Sequence, residues 1–233
     1  MGNHWQELWR RKALGDDRPT LAKLIEMVGW KTAEGGLSVD DWLGFVAFVS
    51  DKVGLREGDE ILEVGCGPGG FLLPLRDQGF RVAGIDYSDS LVAICREVMP
   101  EGRFEVAEAN ALPFDDMSFD VITSNSVFHY FPDHTYTEGV VREMARCLKP
   151  GGRGAVLDLN DAAKQEAFMA QRYARYGGPE EYERQNQDLP QLFYDEQWFI
   201  DIGKQYGLDG YVEDQQIENY WNSAYRFNYF FEK

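Results

Sequence analysis

The residues best placed to do chemistry lie in one short run, Glu60-Ile-Leu-Glu-Val-Gly-Cys-Gly-Pro-Gly-Gly70. Ile61, Leu62 and Val64 read as a buried strand, and Gly65, Gly67, Gly69 and Gly70 satisfy both GxGxG and GxGxxG spacing. A strand that breaks into closely spaced glycines and turns into a helix lets a nucleotide-containing ligand lie against bare backbone. Glu63 narrows the choice. A carboxylate about 6 Å from a pyrophosphate would oppose it by about 3 kcal/mol at an effective dielectric of ~20, whereas a sulfonium or an α-ammonium gains from the same charge.

Asp86, in Val82-Ala-Gly-Ile-Asp-Tyr-Ser88, lies about 20 residues past Gly65, where a carboxylate can accept from both ribose hydroxyls. Its alternative role is to cap the helix that begins near Ser88. NAD and S-adenosylmethionine both carry adenosine, so Asp86 does not separate them. That distinction rests on Glu63.

These groups need a frame, and the hydrophobic pattern supplies one. The first 55 residues read as helices: Trp5, Leu8 and Trp9 share a face, Leu21 to Val28 repeats the pattern, and Asp40 or Asp41 is placed to cap a third helix bearing Trp42, Phe45, Val46 and Val49. From Glu60 the chain alternates strand and helix, with strands expected at 60–64, 80–85, 103–106, 118–124 and 152–159. A helix is expected over 134–148, stopped by Lys149-Pro-Gly-Gly152. This alternation implies a parallel sheet with helices on both faces. A segment at 161–210 follows, with a helix near 163–176. Tyr211–Ile217 and Ala224–Phe231 then read as an antiparallel hairpin that closes the sheet.

Composition removes several classes of function. With 233 residues the chain fits one α/β domain, 1–233, and the 23 basic against 40 acidic residues leave a formal net charge of -17. Nucleic acid is a poor partner for such a surface. The apolar runs are too short to span a membrane, and the first residues hold no secretory core. Cys66, Cys95 and Cys147 have no CxxC spacing, so they read as free thiols of a cytoplasmic chain, with no disulfide framework and no metal site.

Taken together, five motifs over about residues 55–160 resemble the class I S-adenosylmethionine-dependent methyltransferases. Glu63-Val-Gly-Cys-Gly-Pro-Gly69 is similar to the family's first motif, which implies that Glu63, Gly65, Cys66 and Gly67 border the methionine end of the cofactor. Asp86 matches the ribose-binding acid and Tyr87 the neighbour that packs on adenine. Glu108-Ala-Asn-Ala-Leu-Pro-Phe114 resembles the stretch that reads the adenine edge through a side chain and a backbone amide, here Glu108 and Ala109, although the family usually has Asp at the first position. Ser124-Asn-Ser-Val-Phe-His-Tyr-Phe-Pro132 matches the loop after the fourth strand, which adds Ser124 to the cofactor set, and Leu148-Lys-Pro-Gly-Gly152 matches the turn into the fifth. The resemblance implies a Rossmann-like doubly wound sheet, mostly parallel, with N-terminal helices and a C-terminal antiparallel hairpin. Its parts would be an N-terminal helical lid (1–55), a cofactor-binding core (56–160), a substrate-side insertion (161–210) and the closing hairpin (211–233).

His129 is the acid–base candidate, since it follows the fourth strand near the carboxyl ends of the parallel strands, where open α/β sheets hold ligands. Its alternative role is to brace the loop. Asp158 and Asn160 end the fifth strand and are candidates to orient a substrate. Trp5 and Trp9 either pack or, with Trp9 beside the cofactor, form a lid. The aromatic residues of 161–210 (Tyr173, Tyr176, Tyr182, Phe193, Tyr194, Trp198 and Phe199) suggest a pocket for a small organic molecule. The expected activity is methyl transfer from S-adenosylmethionine to an O, N or C nucleophile of such a molecule, by a monomer or homodimer. A basic protein substrate, a nicotinamide-dependent oxidoreductase and a non-catalytic cofactor-binding protein are the alternatives.

Overall fold

The computed structural model describes residues 19–30, 37–186 and 190–233. Helix α1 (Leu21–Met27) is capped by the Thr20 side chain. Helix α2 (Val39–Lys52) starts at a capping box in which Ser38 is the cap and Asp41, at its third position, bonds back to the Ser38 backbone. The sequence pattern placed Asp40 or Asp41 at the cap itself; Ser38 takes that place, and both aspartates fall in the first turn, where they complement the helix dipole.

Beyond these helices runs the order β1 (Glu60–Val64), α3 (Leu72–Asp77), β2 (Arg81–Asp86), α4 (Asp89–Val98), β3 (Arg103–Val106), β4 (Phe119–Asn125), α5 (His134–Cys147), β5 (Leu148–Asn160), α6 (Gln165–Tyr176), α7 (Pro179–Asn186), α8 (Glu196–Gln205), β6 (Asp209–Asp214) and β7 (Arg226–Glu232). The seven strands form one sheet ordered β3-β2-β1-β4-β5-β7-β6. β1 to β5 are parallel, and β7 inserts antiparallel between β5 and β6. The fold is the expected Rossmann-like sheet with its antiparallel pair at one side.

Adjacent residues in a strand face opposite ways, and the core divides accordingly. Ile61, Val121, Ala155, Leu157 and Phe230 pack with α1, α2, α3 and α4. Their neighbours Leu62, Ile122, Val156 and Tyr229 pack with α5 and α8 on the other face. Two boundaries differ from the sequence pattern. β5 begins at Leu148 rather than 152, because Leu148 already pairs with Phe119 and the extra residues before Arg153, which pairs with Val121, are taken up as an irregularity. Helix α8, which the sequence grouped with the substrate side, buries Phe199 and Ile202 against the sheet. It is part of the core layer.

The element order reverses between β1 and β4, neighbours that lead to strands on opposite sides of the sheet. Open α/β sheets bind ligands at such a switch point, outside the carboxyl ends of the strands. That is where this fold opens.

Candidate active site

A cleft of about 320 Å³ lies at the switch point, bordered by the ends of β1, β2 and β4 and roofed by residues just after α1. Its size suits a small molecule or cofactor. Its donor half is mostly backbone. Gly65, with a φ of 76°, sits so close to Val127 that an added Cβ would lie 2.5 Å from a Val127 methyl. Only glycine meets both the left-handed conformation and that approach. The Gly67 amide donates to Asp86 Oδ2 at 2.9 Å and the Ser88 amide to Asp86 Oδ1 at 2.8 Å, so one carboxylate ties the glycine loop to the start of α4. From above, the buried Trp42 indole donates to the Gly70 carbonyl at 3.0 Å.

Two buried acids set the electrostatics. Burial, with Asp86 among its neighbours, pushes the Glu63 carboxyl well above its ordinary range. Its Oε2 has no hydrogen-bond partner. Burial also pushes Asp86 up to about 6, against the pull of its two amide donors. A buried carboxyl oxygen without a partner in a residue that borders a cleft is expensive unless a ligand supplies a donor or a cation. The groups of S-adenosylmethionine fit this demand: an α-ammonium or sulfonium for Glu63, ribose hydroxyls for Asp86, and a flat base for Tyr87 and Ala109, which also border the cleft.

Of the residues singled out in the sequence, the structure brings Glu63, Gly65, Cys66, Gly67, Asp86, Tyr87, Glu108 and Ala109 to this one cleft. The Cys66 thiol lies 3.9 Å from that of Cys95; this contact and burial push it well above its ordinary pKa, so it remains a protonated wall. Glu108 accepts from the Tyr136 hydroxyl at 2.7 Å, which fixes the longer side chain against α5. Trp9, with Trp5 and His4, lies outside the described residues.

Two assignments are corrected. Ser124 is fully buried within β4 and donates to the Val64 carbonyl at 2.7 Å, so it ties two strands together and does not border the cleft. His129 is also buried and absent from the cleft wall. Arg226 Nη1 lies 3.2 Å from His129 Nδ1, and a guanidinium can only donate. The Nδ1 lone pair is therefore engaged, and burial together with Arg226 and Arg172 holds the imidazole well below its usual pKa. A ring that is neutral, with its basic nitrogen occupied by a cation, cannot collect a substrate proton. It braces the loop.

The aromatic segment also lies elsewhere. Tyr194 is buried and donates to the Phe128 carbonyl, Phe199 is core, Trp198 packs on Tyr194, and Tyr182 meets Tyr173 and Tyr176. None of these borders the cleft. Asn160 donates to the Leu192 carbonyl and braces that segment. Asp161, Glu196 and Asp214 converge nearby, with Lys164 paired to Asp161 and Asp214.

The remaining wall of the cleft includes Trp30, Trp42, Phe71, Ser126, Tyr130 and Phe131. Ser126 had a visible signal. It stands two residues past Ser124 in the same loop motif, just beyond β4, where side chains leave the sheet and reach the crevice. Trp30 had none, because its place depends on how α1 docks.

Comparison with known proteins agrees with this geometry. The family model described as a methyltransferase domain matches residues 62–156. The chain is 37% identical over 112 residues to the 27-O-demethylrifamycin SV methyltransferase of Amycolatopsis mediterranei, covering 45% of this chain and 40% of that one. It is 39% identical over 110 residues to the 2-methyl-6-phytyl-1,4-hydroquinone methyltransferase of Synechocystis, covering 46% and 34%. The chain thus spans less than half the length of either relative. Among solved structures, the geranyl diphosphate C-methyltransferase of Streptomyces coelicolor superposes with a TM-score of 0.63 at 17% identity, covering 97% of this chain and 94% of that one. A methyltransferase of Methanosarcina mazei does so with a TM-score of 0.60 at 21% identity, covering 77% and 94%. Those two likenesses establish the fold. The family match takes in most of the glycine loop, Asp86 and the fourth and fifth strands, so residues 62–156 of this chain are similar to a methyltransferase domain.

Proposed function

We propose that this protein transfers the methyl group of S-adenosylmethionine to an O, N or C nucleophile of a small organic molecule, releasing S-adenosylhomocysteine. The observation that carries the reading is the buried, unpartnered Glu63 oxygen beside a glycine loop whose neighbouring acid can hold ribose. It favours a cationic cofactor over a dinucleotide.

Bound S-adenosylmethionine supplies an electrophilic methyl group on a positive sulfur. The residues of this chain bind and orient. Glu63 receives the ammonium end, the Gly65–Gly67 backbone lies along the methionine portion, and Asp86 accepts from the ribose. Tyr87, Glu108 and Ala109 enclose the base. Alignment of the acceptor with the methyl group in a narrow, mostly apolar cleft then supplies most of the acceleration. His129 takes no part in the proton transfer.

The relatives named above act on small organic molecules, which supports the same class of substrate here. The acidic surface argues against a nucleic-acid partner, and no helix among the described residues is long and apolar enough to cross a membrane. We place the protein in the cytoplasm as a monomer or homodimer, in keeping with three free thiols.

Calorimetry with S-adenosylmethionine, S-adenosylhomocysteine and NADH tests the reading. The first two should bind and the third should not; tight binding of NADH alone would end it. Asp86→Asn should weaken S-adenosylhomocysteine at least tenfold, and an unchanged affinity would remove the ribose assignment.

A further inference from the structure

The β4 and β5 ends carry a feature that cofactor binding does not use. Ser126 and Asp158 follow the paired residues Asn125 and Leu157, and both have left-handed backbone, with φ of 57° and 62°. Non-glycine residues adopt this conformation at a cost, and it persists only where surrounding contacts impose it. Here they do. Asp158 is 1% exposed, and Ser126 Oγ donates to its Oδ2 at 2.6 Å. Gln215 donates to Oδ1 at 2.9 Å and the Tyr220 hydroxyl to Oδ2 at 3.3 Å. Arg226 Nε lies 3.7 Å from Oδ1, and its Nη1 donates to the Asp158 carbonyl at 3.1 Å. Asn228 accepts from the Asp158 amide.

Only one member of this network borders the cleft directly, and that is Ser126. A serine hydroxyl has one proton and two lone pairs. Asp158 takes the proton, so Ser126 offers the cleft lone pairs alone. Whatever meets it must be a donor.

The surrounding wall says what carries that donor. Trp30 packs on Tyr220 with ring centroids 4.3 Å apart and on Trp42 at 5.1 Å, and Tyr130 and Phe131 continue the surface. Among the described residues the wall contains no Lys, Arg or His, and its acids, Glu63, Asp86 and Glu108, lie at the donor end. An anionic acceptor would meet Glu63, Asp86 and Glu108 with no counter-charge from the described residues of the wall. A cationic one would meet the sulfonium, with the nearby carboxylates already engaged.

On the methyltransferase reading, we propose that the methyl acceptor is an uncharged aromatic compound whose hydroxyl donates to Ser126 Oγ, with Asp158 as the positioning residue that orients the serine. The hydroxyl oxygen held this way has lone pairs free to face the methyl group: as its bond to the methyl carbon forms and the carbon–sulfur bond breaks, its proton passes to Ser126 Oγ while the serine proton passes to Asp158, leaving a methyl ether and S-adenosylhomocysteine.

The test uses the full chain saturated with S-adenosylhomocysteine and titrated with 2-naphthol, 2-methylnaphthalene and 2-naphthoate, followed by tryptophan quenching and saturation-transfer NMR. 2-Naphthol should bind at least tenfold more tightly than 2-methylnaphthalene, and 2-naphthoate more weakly than either. Ser126→Ala should make 2-naphthol and 2-methylnaphthalene equal. Asp158→Asn can donate its amide to Ser126, turning the serine proton toward the cleft, so this variant should prefer 2-methoxynaphthalene to 2-naphthol. Equal binding of 2-naphthol and 2-methylnaphthalene to the wild-type protein, a ratio unmoved by Ser126→Ala, tighter binding of 2-naphthoate, or no binding of any probe would overturn the proposal. Affinity for S-adenosylhomocysteine is measured in each variant to report an intact fold. Its absence in the wild-type protein marks failure of the methyltransferase reading itself, apart from failure of the acceptor assignment.

Discussion

The two halves of the cleft are built by opposite means. The donor half is backbone and short-range: Glu63 to Gly70 is one continuous run, and Asp86 closes it with two amide hydrogen bonds. The other half is walled by side chains gathered from across the chain, and behind Trp30 and Ser126 stand Asp158, Gln215, Tyr220 and Arg226, joined to them by contacts spanning dozens of residues. A backbone site fixes a ligand common to many proteins, while a side-chain site can change one residue at a time. The first half therefore announces its ligand in the sequence and the second does not.

The contrast predicts where substitutions hurt stability and where they hurt binding. The largest effect should come from Asp158→Ala, which leaves the buried Arg226 without its partner. Loss of one member of a buried ion pair destabilises by about 3–5 kcal/mol, and thermal unfolding should shift down by roughly 10 °C for a chain of this size. A shift below about 2 °C would mean that the network is not structural. Gly65→Ala comes next. The left-handed conformation and the Val127 contact should together destabilise by about 1–3 kcal/mol, with S-adenosylhomocysteine binding lost while circular dichroism keeps the native signal. A variant that still binds normally would show that the loop adapts.

A pH titration sharpens the donor side. The Asp86 pKa in the folded protein, about 6, lies above the ordinary 3.8. A raised carboxyl pKa favours folding while the group is protonated, so its contribution is fully present below pH 4 and is lost as the pH rises through 6. The ligand-free protein should lose up to about 3 kcal/mol of stability across that window by this group. Ligand binding has the opposite sign: a cation beside the acids and hydroxyls on Asp86 favour the ionised form. Affinity should rise as the pH rises through 6, with protons released on binding below it, as calorimetry in buffers of different ionisation enthalpy would show. The smallest effect should be that of Tyr136→Phe, which removes one half-exposed hydrogen bond to Glu108 and should weaken S-adenosylhomocysteine no more than about threefold.

The same contrast explains what could be read in advance. The strands of the parallel sheet follow local patterns of Val, Ile and Phe between turn residues, and the donor motifs lie within those elements. They were legible because local sequence dictates them. The loop after β4 is legible in the sequence, whereas the parts that His129 and Ser124 play in it depend on distant residues. Whether an imidazole is a base depends on Arg226, 97 positions away, and whether a serine reaches the cleft depends on β4 ending at Asn125. The aromatic residues of 161–210 carried a pocket-like composition, yet nothing in composition separates a ring that packs under a helix from one that walls a cleft.

The place of β7 has a consequence for the making of the protein. β7 is the partner of both β5 and β6, and it is translated after both. Until it emerges from the ribosome, β5 offers an unpaired edge bearing Ala155, Val156, Leu157 and Leu159, all fully buried in the finished fold. β6 has no neighbour at all. A growing chain in that condition is a template for pairing with another like it. The sheet is therefore completed only after synthesis has passed β7, and slow folding at high expression should produce aggregates seeded at the β5 edge, while the glycine loop, assembled from β1 and β2, is already in place.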